Sequence, residues 1–357
     1  MTYSHETILS VDLKKLEENY NFLKSKAQKK TNIIAVIKAY AYGHGDIKIA
    51  KKLEKIGVSA FWVADFEEGV ELRKSGIRTP IIVANSGRKS YTHFIQNQLE
   101  PVIFNFDILS IFIKNKNKIP IHIKFNTGMN RYGFEQSDII KLCQLLKNNT
   151  HLKVKSICSH LAASDNPKYD DFTRKQFTLF EKICNAFYEK SGLNTPKHIL
   201  NTAGLLRFPD KCYDFVRIGI GLYGVSEDKN LKPISSLKSI VADIKNIEKG
   251  QVIGYGGSCI KTNIKTAVVP FGYADGLNRK LAKHKGFVLI KNKLCQIISI
   301  SMDSCIVDIS NSKIQVGDTV EIFSDKLSII SIAKKLDTIP YELLSILNRR
   351  IKRIYCV

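Results

Sequence analysis

The feature that most constrains the fold is a run of eight short apolar, β-rich segments, each followed by an amphipathic stretch, that fills the chain up to about residue 225. They lie at 33–37 (IIAVI), 59–63, 80–83, 101–104, 120–125, 154–159, 197–200 and 215–218. Continuous apolar runs of this length are what parallel strands need when helices cover both faces of their sheet. Eight strand-helix units predict a closed (β/α)8 barrel, with an open doubly wound sheet as the competing architecture. After the first run, Ile49, Leu53 and Ile56 recur at helical spacing and Gly57 follows as a C-cap.

Near residue 231 the texture changes. KTAVVPF, GFVLIKNKLCQIISI, CIVDI and VGDTVEIF alternate and are broken by Gly and Asn, with KNK (291–293) as a turn. This predicts a mostly antiparallel β domain closed by two short helices at about 328–336 and 340–347. The expected division is therefore a barrel over 1–230 and a β domain over 231–357, in keeping with a chain of 357 residues that exceeds one ordinary core.

Composition excludes several classes. With 44% apolar and 25% charged residues the chain can bury a core, so disorder is not expected. The net charge of +22 raises the question of nucleic acid, but the lysines are interleaved with Ile and Asn along the whole chain. Short clusters such as KSKAQKK (24–30) read as solvated faces, and no nucleic-acid-binding motif accompanies them. None of the eight cysteines has Cys-x-x-Cys spacing, so no metal site is expected and buried free thiols are. No run approaches the roughly 18 apolar residues of a membrane span. A cytoplasmic, reduced protein without membrane or nucleic-acid partners is the expectation.

Barrel enzymes work at the C-terminal ends of their strands, and IIAVIKAYAYGHG (33–45) puts Lys38 at the end of the first. A lysine leaving an apolar strand loses hydration, which favours the neutral amine that a Schiff base needs. Position alone is equally satisfied by a lysine that snorkels to the rim.

The segment AVIKAYAYGHG resembles the cofactor-lysine signature of alanine racemases, pyridoxal phosphate enzymes of fold type III. The resemblance continues in order through HIKFNTGMNRYGFE (122–135), SICSHLAASD (156–165), HILNTAG (198–204), VRIGIGLYG (216–224), IGYGGS (253–258), FGYADGLNR (271–279), SMDSCIVD (301–308) and RRIKRIY (349–355). It implies racemisation of alanine by two catalytic residues on opposite faces of the substrate, Lys38 and Tyr255, the tyrosine entering from a second subunit. It implies that Arg217 faces the cofactor's ring nitrogen, where a cation disfavours ring protonation. His160 supports Arg217, and Tyr42, Thr202, Tyr355 and the amides of Gly219 and Ile220 hold the phosphate. Arg131 is similar to an arginine that binds the substrate carboxylate, and Lys124 to a lysine that carries a carbamate in many members, an unmodified lysine being the alternative. Tyr273, Met302 and Asp303 match the entry gate and carboxylate-binding elements that the partner supplies, so the resemblance implies a homodimer with composite sites.

Three positions depart from the pattern. Thr202 stands where serine is common, Tyr40 where Asn is usual, and Ser301 where Cys is frequent, and these leave fine substrate preference open. The competing functions are a serine or broad-specificity racemase, a fold-type-III decarboxylase, and a non-catalytic pyridoxal phosphate-binding protein. The decarboxylase lacks its triple-glycine loop and catalytic cysteine here, and the binding protein has no second domain. For a racemase, the implied role is supply of D-alanine for cell-wall peptidoglycan.

Overall fold

In the computed structural model, which describes residues 6–255, 258–310 and 312–357, a first strand β1 (Ile8–Asp12) leads through a helix (Leu13–Lys26) into eight parallel strands. These are β2 (Asn32–Val36), β3 (Ala60–Val63), β4 (Ile81–Val83), β5 (Glu100–Ile103), β6 (Ile119–Lys124), β7 (Leu152–Cys158), β8 (Lys197–His198) and β9 (Phe215–Ile218). Their order, β8-β7-β6-β5-β4-β3-β2-β9, returns the last strand beside the first. The seam between β8 and β9 is bridged by Arg217 N donating to Leu200 O at 3.0 Å and by Lys197 N donating to Asp214 Oδ2 at 2.8 Å. The sheet is a near-closed barrel with helices between its strands, as the eight apolar runs predict.

The runs work because both faces are covered: every residue of β3 and β4, and all but the first of β2, is buried. The intervening helices begin and end where local chemistry allows. Asp65, Asn105 and Asn201 each accept a first-turn amide with the side chain. The helix Asp46–Lys55 stops before Gly57, whose φ of 84° is open to glycine at no steric cost.

The second sheet contains β10 (Ser235–Ile240), β11 (Asp243–Ile247), β14 (Ile264–Val269), β15 (Phe287–Ile290), β16 (Lys293–Ile300), β17 (Cys305–Asp308), β18 (Thr319–Phe323) and β19 (Lys352–Cys356). Its order is β11-β14-β17-β16-β15-β18-β10-β1-β19. All neighbours are antiparallel except β1 and β19. A small separate hairpin joins β12 (Val252–Ile253) to β13 (Ser258–Cys259). Lys291 and Asn292, at φ 48° and 61°, form the two-residue turn between β15 and β16, a geometry whose twist suits a hairpin. Helices Ile329–Lys335 and Pro340–Ser345 occupy the two stretches expected to be helical.

A division at residue 230 assigns β1 to the barrel, but β1 pairs with β10 and β19 in the second sheet. The reason is legible in its pattern. ILSVD buries only Leu9 and Val11, the alternation of a strand with one face on a core, unlike the continuous runs of the barrel. The expectation of buried thiols also needs correcting at two positions, because Cys259 and Cys356 are exposed while the other six are buried. Among the described residues no helix is long and apolar enough to cross a membrane.

Candidate active site

Lys38 lies two residues beyond the end of β2, and what comes after it is unusual. Ala39, Tyr40, Ala41 and Tyr42 have φ between 51° and 56°, so the chain makes a left-handed turn in residues that carry a Cβ. Each such residue costs about 1–2 kcal/mol relative to a right-handed one, so the turn must be held by its surroundings. Glu68 accepts the amides of Ala39 and Ala64 at 2.6 and 2.7 Å. Further along, Arg353 Nε donates to Gly43 O at 3.1 Å and Tyr355 Oη to His44 O at 3.0 Å. The His44 ring lies parallel to that of Tyr223 at 4.7 Å, and Tyr42 packs on Tyr223 and Tyr341. Burial pulls the His44 pKa down to about 4.

Lys38 is solvent-accessible yet hemmed by protein. Its pKa is lowered, first by lost hydration and then by Arg131 and Arg217, with Glu68 opposing. Lys124 ends β6, is buried, and is pulled down to about 8 by burial and by Arg217, Arg131 and Lys38, with the Cys158 sulfur opposing. Lys124 Nζ lies 5.5 Å from the Tyr132 ring centroid. Half-buried His160 is held neutral, well below its ordinary range, by burial and by the same four cations. Thus Lys38, Lys124, Arg131, His160 and Arg217, which come from four separate motifs, act on one another at one end of the barrel.

Arg217 is buried and, among the described residues, has no carboxylate partner. Its Nη2 donates to Ser159 O at 2.5 Å, His160 Nδ1 at 3.0 Å and Ile199 O at 3.2 Å, and its Nη1 donates to His198 Nδ1. The guanidinium also sits 5.1 Å from the Trp62 ring centroid. Beyond β9, Thr202 Oγ1 accepts the amides of Gly219 and Gly221 at 3.2 and 3.4 Å. The Gly219 amide, expected for a phosphate, is therefore directed at the Thr202 hydroxyl. A Cβ on Gly221 would lie 2.5 Å from Thr202 Cγ2, so only glycine fits there. Ile220 opens the short turn Ile220–Tyr223.

The remaining candidates belong to the second sheet and its loops. Tyr255 is 87% exposed, following Gly254 at φ 64°; Gly256 and Gly257 of the same motif lie outside the described residues. The loops bearing Tyr273 and Met302 are stitched together, with Tyr273 N donating to Ser301 O and Ala274 N to Met302 O at 3.0 and 2.9 Å. A Cβ on Gly272 would strike Met302 O at 2.2 Å, which is why glycine precedes the tyrosine. Arg350 bridges the two loops, Nε to Asp275 and Nη2 to Asp303, each at 2.6 Å.

Comparison with known proteins bears on this arrangement. The profile of the alanine racemase N-terminal domain matches residues 11–227, and that of the C-terminal domain matches 234–355. An alanine racemase of Clostridium tetani is 34% identical, with 97% of this chain and 94% of the relative aligned. The chain belongs to the alanine racemase family. Two solved family members share its fold: the Clostridium difficile 630 enzyme in complex with cycloserine (30% identity, TM-score 0.88, 99% and 96% covered) and the Bartonella henselae enzyme with covalently bound pyridoxal phosphate (29%, 0.90, 99% and 100%).

For an alanine racemase the barrel cluster contains residues that sequence reasoning passed over. His198 sits inside the HILNTAG motif and accepts a hydrogen bond from Arg217, and a polar residue at a barrel strand end was the available signal. Glu68 and Trp62 gave none, since a glutamate in a helical first turn and a tryptophan in an apolar run look ordinary until the fold brings them to Ala39 and Arg217. Family membership also removes the decarboxylase and binding-protein alternatives.

Proposed function

We propose that the chain interconverts L- and D-alanine with pyridoxal phosphate held on Lys38, as a homodimer in which each subunit completes the other's site. The observation that carries this is the cluster of Lys38, Lys124, Arg131 and Arg217 around one accessible amine of lowered pKa. The donor set fits the cofactor. A reachable amine whose pKa is lowered suits an aldehyde, and the two arginines beside it suit a phosphate dianion and a substrate carboxylate.

When bound, the cofactor supplies an aldehyde that condenses with amines and a ring that accepts charge from the substrate α-carbon. Lys38 takes or returns the α-proton on one face, and Tyr255 of the partner subunit serves the other. Arg217, a permanent cation flanked by neutral His160 and His198, keeps the ring nitrogen unprotonated. Arg131 binds the substrate carboxylate, and Lys124, carbamylated, orients Arg131. Tyr42, Thr202, Tyr355 and the Ile220 amide hold the phosphate, the Gly219 amide joining them once it leaves the Thr202 hydroxyl, while His160 steadies the cofactor and Tyr273, Met302 and Asp303 guard the entry.

Exposure supports the dimer: Tyr255, Val252, Met302 and Tyr273 are 87%, 59%, 53% and 41% exposed, apolar side chains of one unit that a second subunit would cover. On this reading residues 231–357 form the domain that completes the partner's site, and residues 1–230, apart from β1, form the barrel. The enzyme works in the cytoplasm, where D-alanine is drawn on for peptidoglycan.

Chiral chromatography after incubation with pyridoxal phosphate and L-alanine tests the proposal. D-alanine is the expected product, with serine racemised more slowly. Lys38→Ala should lose both activity and the absorbance of the bound cofactor, and Tyr255→Phe should slow solvent deuterium uptake from one enantiomer more than from the other. Retention of racemisation by Lys38→Ala would overturn the assignment.

A further inference from the structure

Five polar side chains, one from each of five successive barrel strands, form a continuous hydrogen-bonded line: Arg217 (β9), His198 (β8), Ser156 (β7), His122 (β6) and Glu100 (β5). Four of the five are buried, with Arg217, His198, Ser156 and His122 each less than 5% exposed, and the Glu100 side chain is 15% exposed. His198 Nε2 lies 2.9 Å from Ser156 Oγ, Ser156 Oγ 2.6 Å from His122 Nδ1, and His122 Nε2 2.8 Å from Glu100 Oε2.

The direction of every proton along this line follows from its two ends. A guanidinium has only donors, so the contact with Arg217 Nη1 is made by the His198 tautomer that accepts at Nδ1 and carries its ring proton on Nε2. That proton goes to Ser156 Oγ. The hydroxyl has one proton of its own, and His122 Nδ1 is the acceptor left for it. His122 is then protonated on Nε2 and donates to Glu100, whose ionised carboxylate has only acceptors. A donor-only group and an acceptor-only group thus fix two tautomers and one hydroxyl rotor between them.

We infer that Glu100, His122 and Ser156 are positioning residues for Arg217: by pinning the tautomer of His198 they keep its Nδ1 lone pair aimed at the guanidinium. The inference rests on the reading of Arg217 as the residue facing the cofactor ring. Without Ser156 the His198 ring is free to carry its proton on Nδ1, and that tautomer opposes Arg217 donor to donor. The guanidinium then turns away, losing the alignment on which its effect at the ring depends.

Long-range 1H–15N correlation spectra of the full-length, cofactor-loaded protein with labelled histidine rings read the tautomers directly. His198 and His122 should both be protonated on Nε2. In Ser156→Ala the single tautomer of His198 should be lost, the absorbance of the bound cofactor should shift, and kcat should fall about tenfold, the size of one net hydrogen bond, with the alanine KM unchanged. Glu100→Gln keeps an acceptor oxygen and should preserve tautomer and kcat, whereas Glu100→Leu should behave like Ser156→Ala. A His198 protonated on Nδ1 in the unaltered protein, or a Ser156→Ala variant with the parental tautomer and kcat, overturns the inference. An unaltered protein that makes no D-alanine overturns instead the function proposed above, while its ring tautomers still report on the line.

Discussion

Glu68 accepts the backbone amide of Ala39 at 2.6 Å, fastening the first left-handed residue after Lys38 to a helix of the barrel. Because its other oxygen holds the amide of Ala64, both oxygens must be acceptors, and a glutamine satisfies only one. The same carboxylate raises the pKa of Lys38 against the effects that lower it. Glu68→Gln should therefore destabilise the protein by about 1–3 kcal/mol in urea unfolding. It should also move the pH at which cofactor-free protein captures pyridoxal phosphate at half its maximal rate to a lower value.

Lys124, at about 8, is neutral in the fold at a pH where it is still charged in the unfolded chain. A folded-state pKa below the unfolded one means that the unfolded chain binds more protons between about 8 and 10.5. Stability rises with pH across that window, and the full penalty is felt below it. Lys124→Met should be more stable than the parent at pH 7, with the difference in urea midpoint shrinking as pH rises past 8. The neutral amine is also the form that takes up carbon dioxide, so 13C-bicarbonate should give a carbamate signal that is absent from Lys124→Met.

The close approach of Gly221 to Thr202 Cγ2 makes a paired test. Gly221→Ala should cost about 1–3 kcal/mol from overpacking and weaken cofactor binding. Thr202→Ser removes the obstructing methyl while keeping the hydroxyl that accepts the Gly219 and Gly221 amides, and it should restore much of both losses. Thermal melts and cofactor titration of the two single variants and the double variant measure the coupling.

Arg350 is half exposed, so solvent screens its ion pairs with Asp275 and Asp303 and they add little to stability. Its role is to hold the Tyr273 loop against the Met302 loop. Arg350→Ala should leave the melting temperature within a few degrees, raise the KM for alanine several-fold, and narrow the gap in kcat/KM between alanine and serine.

The barrel was legible because burial on both faces writes itself as uninterrupted apolar runs, and all eight observed strands fall within two residues of them at their first residue. The run at 197–200 shortened to β8, since Asn201 is committed to capping the next helix. The place of β1 in the second sheet was not legible because pairing is non-local: its alternating pattern names the kind of sheet but not the partners, which lie more than 220 residues away. Motifs brought the five barrel residues to notice. The partners that tune them, Glu68, His198 and Ser156, are ordinary residues whose meaning comes from a neighbour on another strand. The left-handed turn was equally hidden, because Ala-Tyr-Ala-Tyr reads as a right-handed helix or a strand by local preference.

The position of β1 between β10 and β19 has a bearing on how the molecule is made. The barrel strands leave the ribosome in the order in which they pair and need little from downstream sequence. The first strand, by contrast, lies parallel to β19, so its place in the sheet stays open until that distant strand has been synthesised. Until then Leu9 and Val11 remain without their final cover, and a nascent chain stalled in the second half carries a finished barrel beside an unfinished sheet, the species on which a chaperone would act.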